Sequence, residues 1–307
     1  MMESSIGRID EVYFDSKNDR TKAFFTAILR TEKEVDINLN RFLHQARGTR
    51  LSLRLVVEGI PDNRLRTIFR PHLGQMMVCE AIIPITREGV KIVYYGWNDR
   101  ERMTNPNLRA AERQLLDQVL KRRGAREHCY DDYEIEFSVQ KKNWTRDDVQ
   151  KLLEIYGRTF SGYLLEFTQA SVTNMLENNL VSLVRRRQTG EIVAVAMGEM
   201  VEVEIGTRVL RLCELSEVAT HPEFQRRGLS HLAFGKLRDE LIQSHVEVIF
   251  SETRAASYGM MAVAHDAGFV VSGRLEEHCV ISSPFSEIVQ EGVYGDLIVF
   301  SLPTRSE

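Results

Sequence analysis

The chain has 307 residues, 43% of them hydrophobic and 27% charged, which is enough to bury a sizeable core in two ordinary domains. Its net charge of -4 and the absence of a basic stripe with interleaved aromatic residues exclude nucleic acid as an expected partner. No apolar run approaches the ~20 residues that span a bilayer, and the N-terminus lacks the order of a secretory signal. We therefore expect a cytoplasmic protein without a membrane partner.

The four cysteines lie far apart, at positions 79, 129, 213 and 279, and no Cys/His cluster has the spacing of metal ligands. This distribution predicts reduced thiols and no metal cofactor.

The first half reads as a strand at 51–58, a helix at 63–73 and strands at 76–85 and 90–97, without a catalytic motif. Asn105-Pro106 then begins a helix whose apolar spacing continues to Gly124. We place a domain boundary near residue 132, between a first domain at 1–125 and a second at 132–307.

The second half begins with a strand at 133–139 and a helix at Thr145, with Asp148 three residues on as a near capping box. A helix at 170–176 and a hairpin of strands 180–186 and 192–202 follow. The remaining elements are predicted as a strand at 209–219, a helix at 229–244, a strand at 246–251, a helix at 258–267 and strands at 270–281 and 295–302. This order predicts a mixed α/β domain with one sheet.

The junction between strand 209–219 and the helix at 229 contains the most informative motif of the chain. Free backbone N–H groups at a helix start bind anions, and Gly228 lets the backbone approach phosphate oxygens. Arg226 and Arg227 add positive charge beside it. The junction is therefore suited to a pyrophosphate.

Gln225-Arg-Arg-Gly-Leu-Ser230 at this junction resembles the coenzyme A loop of the GNAT superfamily of N-acetyltransferases, with serine in place of the last small residue. The resemblance continues to Gly268-Phe269 and implies a GNAT fold with acetyl-CoA as co-substrate. In that superfamily the pantetheine arm pairs with the preceding strand. The residues implied to bind the coenzyme are Val218, Ala219, Thr220, Gln225, Arg226, Arg227, Gly228, Leu229, Ser230 and Ser257.

Two positions depart from the pattern of many members of the superfamily. Ser257 stands eleven residues before Gly268, where many members carry an asparagine that contacts the coenzyme. Ala264 occupies the position of a tyrosine that protonates the leaving thiolate, which leaves the general acid open.

Transfer to an amine also requires a base that removes a proton from the ammonium group. Glu214 lies eleven residues before Gln225, where histone-type members carry their general base, and Glu217 is the second candidate. Strand alternation places Ser216 on the face of Glu214 and Glu217 on the opposite face.

Other groups near this strand have supporting roles in the prediction. A backbone N–H near Val218 or Ala219 would stabilise the oxyanion, and Glu199 and Glu252 are candidates for binding the substrate ammonium. His221 is interpreted as a loop residue.

A narrower resemblance, to the β-lysine N-acetyltransferase branch, rests on Arg254-Ala-Ala-Ser-Tyr-Gly-Met260 and fades after Gly273. It implies a small-molecule amine substrate, either an amino acid or a polyamine-like amine. A protein lysine or N-terminus, or a non-catalytic module that senses acyl-CoA, are the alternatives.

The element order of the first half repeats the end of the second, where a strand, a helix and two strands close the sheet. We interpret residues 1–125 as a degenerate GNAT-like copy without its own coenzyme loop; the alternative is an unrelated small α/β domain. In either case it shapes the substrate cleft or forms the contact of a homodimer.

Overall fold

The computed structural model describes residues 10–73, 78–85, 89–99, 102, 105–124, 128–139, 144–160, 166–205, 207–280 and 294–302. Within these ranges twelve strands form a single sheet. The strands are β1 (Val12–Asp15), β2 (Arg20–Leu29), β3 (Arg50–Glu58), β4 (Val78–Pro84), β5 (Val90–Asn98), β6 (Tyr133–Val139), β7 (Leu180–Arg186), β8 (Ile192–Ile205), β9 (Arg208–Thr220), β10 (Val248–Arg254), β11 (Val270–Cys279) and β12 (Gly295–Ser301).

Seven α-helices accompany these strands in the described ranges. They are α1 (Glu32–Gln45), α2 (Asp62–Leu73), α3 (Pro106–Leu120), α4 (Arg146–Thr159), α5 (Gln169–Asn178), α6 (Leu229–Gln243) and α7 (Tyr258–Asp266). Side-chain caps begin several of them, because the first N–H groups of a helix lack partners within it. Thr31 and Glu34 form a capping box at α1, and Thr145 and Asp148 form the predicted one at α4.

The order of the strands shows that the two halves share one sheet: β1-β2-β3-β5-β4-β11-β12-β10-β9-β8-β7-β6. Neighbours are antiparallel except for β2 with β3 and β9 with β10, which are parallel and connected by the crossover helices α1 and α6. The halves join where β4 pairs with β11, at Ala81 and Gly273.

The chain contains a structural repeat. The first repeat, β1-β2-α1-β3-α2-β4-β5, and the second repeat, β8-β9-α6-β10-α7-β11-β12, have the same element order and the same strand order within the sheet. This agreement supports the interpretation of the first half as a copy of the second, and it extends that copy to three elements that the sequence analysis did not predict, β1, β2 and α1.

The inner faces of the two repeats pack against each other in one apolar core. Phe24, Val56 and Ile92 of the first repeat lie in the same buried cluster as Leu212 and Phe250 of the second. Helices α1 and α2 cover the outer face of the first repeat. On the second repeat, α3, α6 and α7 cover the outer face, and α4 and α5 cover the part of the inner face that the first repeat leaves open.

The prediction of a mixed α/β fold is confirmed, and most predicted elements lie within a few residues of their observed bounds. The helix predicted to continue to Gly124 ends at Leu120, because the next residues turn away and Arg122 pairs with Asp266. The cysteines are free. The boundary near residue 132 stays a prediction. No helix of the described ranges is long and apolar enough to cross a membrane.

The shared core predicts that the two repeats unfold together. Phe24→Ala removes a ring that is 1% exposed in this core, and we expect it to lower the free energy of unfolding by about 3–5 kcal/mol. Urea denaturation followed by tryptophan fluorescence measures this loss. Trp97 reports on the first repeat in a Trp144→Phe background, and Trp144 reports on the second half in a Trp97→Phe background.

Ile37→Ala is the control, since Ile37 lies on α1 and is 56% exposed; its effect should stay within about 0.5 kcal/mol. A Phe24→Ala transition that moves for Trp97 and stays unchanged for Trp144 would show that the halves unfold independently.

Candidate active site

A cleft opens between β9 and β10 in the middle of the second repeat. The two strands pair from Leu212 with Val248 to Glu214 with Phe250, and no described pair continues the ladder beyond this point. The last link between them is the Ser251 hydroxyl, which donates to the Leu215 carbonyl at 2.8 Å. The edge of β9 from Val218 to Thr220 therefore faces the cleft without a partner strand, as the predicted pairing with a pantetheine arm requires.

A β-bulge bends β9 where the cleft opens. Val195 pairs with Ala219 and Met197 with Ser216, so two residues of β9, Glu217 and Val218, stand opposite one residue of β8. Glu217 has φ 43°, in the left-handed region that costs a non-glycine residue about 1–2 kcal/mol.

The bulge makes one prediction about the candidate bases wrong, namely the face of β9 on which Glu217 lies. Glu217 was expected on the face of β9 opposite Ser216, yet the Ser216 hydroxyl contacts the Glu217 carboxylate directly. The charge of Glu217 also contributes to raising the pKa of Tyr156 on α4, after the larger effect of burial. The prediction is wrong because the extra residue interrupts strand alternation and turns both side chains to the same face.

A cavity of about 600 Å³ lies at the end of this cleft, within the size range of small-molecule sites. Its walls come from the end of β9, the loop after it, the first turns of α6 and α7, the end of α4 and the connection between the halves. The lining residues are Arg122, His128, Thr159, Val218, Thr220, Gln225, Arg226, Gly228, Leu229, Ser230, His231, Ser257, Tyr258, Gly259, Met260, Ala262 and Val263.

Gly228 is the N-cap of α6 and requires the conformational freedom of glycine. Its φ is 76°, and a Cβ there would lie 2.5 Å from the His128 ring and 2.7 Å from the Tyr130 hydroxyl. As a glycine it provides no side-chain cap to the helix. The first N–H groups of α6 thus remain directed at the cavity, which is the arrangement that binds a phosphate group.

The structure places eight of the ten predicted coenzyme-binding residues on the cavity wall and two away from it. Ala219 is buried on the side of α4 and α5. The Arg227 guanidinium donates to the Tyr133 hydroxyl at 3.3 Å and to the Glu223 carbonyl at 3.2 Å. Arg227 is therefore a residue that holds the loop in place.

The start of α6 is also connected to β9 by side chains of the predicted motif. The hydroxyls of Thr220 and Ser230 are 2.8 Å apart, and the Gln225 amide donates to the Thr220 carbonyl at 3.4 Å. These contacts hold the loop against the strand end. Ser257 caps α7 by accepting from the Met260 N–H at 3.4 Å, which leaves its hydroxyl hydrogen free to donate into the cavity.

The sequence analysis missed the contribution of the connection between the halves. Arg122 and His128 line the cavity, and the Tyr130 hydroxyl donates to the Gly228 carbonyl at 3.2 Å. Arg122 is held by Asp266 at 2.7 Å and by the Tyr258 hydroxyl at 2.9 Å. No spacing pattern links this segment to residue 228, so only the fold brings them together.

Glu214 lies at the inner end of the cleft in a cluster of buried charges. One of its carboxylate oxygens is 3.6 Å from Arg54 Nη1, and Arg54 Nη2 is 2.5 Å from Glu252 Oε1. Burial and the Glu252 carboxylate raise the pKa of Glu214 well above its usual range, while Arg54 acts in the opposite direction. Glu199, paired with Glu214 across β8 and β9, adds a third carboxylate.

Two further positions named in the sequence analysis, Ala264 and His221, have structural roles. Ala264 is fully buried in the core of α6 and α7, and its methyl side chain cannot donate a proton. His221 caps the 3₁₀ turn Pro222–Phe224 by accepting from the Glu223 N–H and lies 3.3 Å from Glu154, in keeping with a loop residue. Over the described residues, His, Cys, Asp and Glu side chains form no group of three that could hold a metal ion.

Comparison with known proteins shows what this part of the chain is similar to. Residues 142–269 match the Acetyltransferase (GNAT) family. The N-acetyltransferase YodP of Bacillus subtilis (strain 168) is 26% identical over 137 residues, which are 44% of this chain and 47% of YodP. The chain thus spans about half the length of this curated relative.

Alignments with solved structures cover a somewhat larger share of the chain. The ribosomal-protein-S18-alanine N-acetyltransferase of Escherichia coli aligns with 57% of this chain and 96% of its own, at 19% identity and a TM-score of 0.42. The yncA putative acetyltransferase of Salmonella typhimurium, solved with its cofactor acetyl-CoA, aligns with 58% of this chain and 96% of its own, at 17% identity and a TM-score of 0.44.

The family match coincides with the elements that build the cleft and the cavity, from α4 to the Gly268-Phe269 turn after α7. Residues 142–269 are therefore similar to the Acetyltransferase (GNAT) family over most of the elements that build the site.

Proposed function

We propose that the protein is an N-acetyltransferase that transfers the acetyl group of acetyl-CoA to the primary amine of a small molecule, by direct attack in a ternary complex. The observation that carries this proposal is the open edge of β9, which lies between the cavity at the N-terminus of α6 and the buried carboxylate of Glu214, where the β9–β10 ladder ends.

The residues of the cavity fit a coenzyme. Two helix N-termini, those of α6 and α7, meet at its wall, and each favours a negative group. Arg226 and Arg122 add positive charge. Gly228 leaves the space that a side chain would fill. The coenzyme supplies an acetyl group activated as a thioester, and the N–H groups of the β9 edge are suited to orient it.

Glu214 is the proposed general base. The amine nitrogen bonds to the acetyl carbon, the carbon–sulfur bond breaks, the ammonium proton goes to the carboxylate and the thiolate leaves. A base with a pKa raised toward neutrality suits this role, and burial together with Glu252 raises that of Glu214. Glu217, beside Ser216 at the bulge, is the alternative base.

The substrate class is inferred from charge and from sequence resemblance. Glu199, Glu214, Glu217 and Glu252 all lie on the inner side of the cleft and are nearly buried, an environment that favours a cationic acceptor. The Arg254-Ala-Ala-Ser-Tyr-Gly-Met260 string supports the β-lysine N-acetyltransferase branch and therefore an amino acid or polyamine-like amine. A protein lysine or N-terminus is the alternative acceptor.

A second function is favoured by one observation, the buried Ala264 in place of the expected tyrosine acid. Without an acid the domain could sense acyl-CoA and not turn it over. Tyr258, whose hydroxyl lies at the cavity wall beside Arg122, and solvent are candidate proton donors for catalysis.

A thiol-release assay tests the proposed function. The wild-type chain is incubated with acetyl-CoA and with β-lysine, lysine, spermidine or a lysine peptide. We expect release of free thiol that depends on a small amine, and an acetylated amine in the mass spectrum. Tight binding of acetyl-CoA without turnover of any amine would favour the sensor, and turnover of the peptide alone would identify a protein acceptor.

The coenzyme site is tested by substituting two glycines, one at the start of α6 and one within it. Gly228→Ala should raise the Kd of acetyl-CoA at least ~10-fold, because φ 76° and the contact with His128 displace the N–H groups that bind phosphate. Isothermal titration measures the affinity.

Gly235→Ala is the matched control, since a Cβ there meets nothing within 4 Å. It should leave the Kd unchanged and stabilise α6 by about 0.5–1 kcal/mol. Equal affinities of the two variants would contradict the assignment of the α6 N-terminus to the pyrophosphate.

The base is tested by Glu214→Gln, which keeps the size of the side chain and removes its proton affinity. We expect kcat to fall by about 10²–10⁴-fold with an unchanged Kd for acetyl-CoA. In the wild type kcat should decline as the pH falls through the raised pKa of Glu214, and this acidic limb should be absent from the variant.

Glu202→Gln, an exposed carboxylate on β8, should behave as wild type in the same assay. Loss of activity in Glu217→Gln together with an unaffected Glu214→Gln would transfer the role of base to Glu217.

A further inference from the structure

The first repeat contacts the candidate base through an arginine of β3. Leu51, Leu53 and Leu55 point to the outer core under α1 and α2. The alternate residues, Arg50 and Arg54, are buried on the inner face. Arg54 thus enters the interior between the repeats, where the second repeat presents its cleft.

Arg54 contacts both carboxylates at the inner end of the cleft. Its two terminal nitrogens lie 3.6 Å from Glu214 Oε2 and 2.5 Å from Glu252 Oε1, and its side chain is 2% exposed. The guanidinium lies 5.0 Å from the centre of the Tyr94 ring and 5.9 Å from that of Phe24. Aromatic rings of the first repeat therefore hold the cation at a fixed place.

The charges around Glu214 come from four other strands. Glu252 on β10 and Glu199 on β8 raise its pKa, in addition to burial, whereas Arg54 on β3 and Lys22 on β2 lower it. Burial and the two arginines Arg20 and Arg54 lower the pKa of Lys22 to about 7. Arg54 is consequently the permanent cation of the cluster, since its own pKa is raised by Glu252 despite burial.

The cluster also has unused hydrogen-bonding capacity. Arg54 Nη2 and Glu252 Oε1 form an ion pair at 2.5 Å, whereas Arg54 Nη1 and Glu214 Oε2 are buried and, at 3.6 Å from each other, complete no hydrogen bond among the described residues. Each such group costs about 1–3 kcal/mol when it stays unsatisfied. Unsatisfied polar atoms at the end of an open cleft indicate that an amine acceptor would find hydrogen-bond partners there.

We propose that the first repeat completes the acceptor side of the active site, with Arg54 as the residue that positions Glu214 between Glu252 and the incoming amine. This inference rests on the proposed function. It gives the first half a defined role in the reaction, through an ion pair that connects β3 to β9 and β10.

Two substitutions test it, because they change the charge around Glu214 in opposite directions. Arg54→Met removes the attraction that lowers the pKa of Glu214, so the acidic limb of kcat should move to higher pH by ~1 unit. Glu252→Gln removes a repulsion, so the limb should move to lower pH by ~1 unit. Arg54→Lys keeps the charge and should give a limb between those of wild type and Arg54→Met.

Arg50→Met is the matched control, since Arg50 is equally buried on the same face of β3 and pairs with Glu80 at 2.7 Å. Its acidic limb should stay in place. The Kd of acetyl-CoA should change less than ~2-fold in all four variants, which separates a change at the acceptor side from loss of the fold. Should Arg54→Met fail to fold, Glu252→Gln and Arg54→Lys still test the proposal.

The titration of Glu214 is also followed by ¹³C NMR of the glutamate-labelled chain, with Glu214→Gln to assign the signal. In this measurement too, the pKa of Glu214 should rise in Arg54→Met and fall in Glu252→Gln, independently of turnover. A wild-type chain without turnover would overturn the proposed function alone. A Glu214 titration that Arg54→Met and Glu252→Gln leave unchanged would overturn the role of Arg54.

Discussion

The parallel pairing of β9 with β10 ends at Glu214 and Phe250, and the rest of the site depends on this point. The bulge at Glu217 and Val218 bends β9 away from β10 and frees a strand edge in the middle of the sheet. An interior strand edge is costly unless another chain of hydrogen-bonding groups occupies it. The fold thus contains a place for an extended ligand, with an anion site at one end and buried carboxylates at the other.

The first repeat shows what the same elements do when the cleft is closed. Its parallel pair β2 and β3 also contains an irregularity, after Phe25, yet pairing resumes at Ile28 with Val56. The helix start that corresponds to Gly228 is capped by Thr31, and the Glu34 carboxylate accepts from the Arg30 and Thr31 N–H groups at 2.8 Å. The start of α1 therefore holds a carboxylate of its own helix, whereas the start of α6 has no side-chain cap.

The sequence predicted the strand, the turn at Gly228 and the helix after it, because glycine and an apolar strand are local signals. The repeat was recognised in part from element order, whereas β1, β2 and α1 were missed although Thr31 and Glu34 form a capping box. The bulge at Glu217 could not be predicted, since it depends on pairing with β8. Arg54 and Glu214 are 160 positions apart. The alternation of arginines with leucines along β3 is typical of a strand with one solvent-exposed face, so the sequence could not place Arg54 in the interior.

The described wall of the coenzyme cavity contains no residue before Arg122. The first repeat instead approaches the reaction from the opposite side, through β2 and β3. In the proposed function the second repeat binds the coenzyme, whereas the acceptor side combines carboxylates of the second repeat with Arg54 of the first. Substitutions at inward-facing positions of residues 20–58 would therefore change the acceptor side of the proposed site. The residues that line the cavity would keep their sequence.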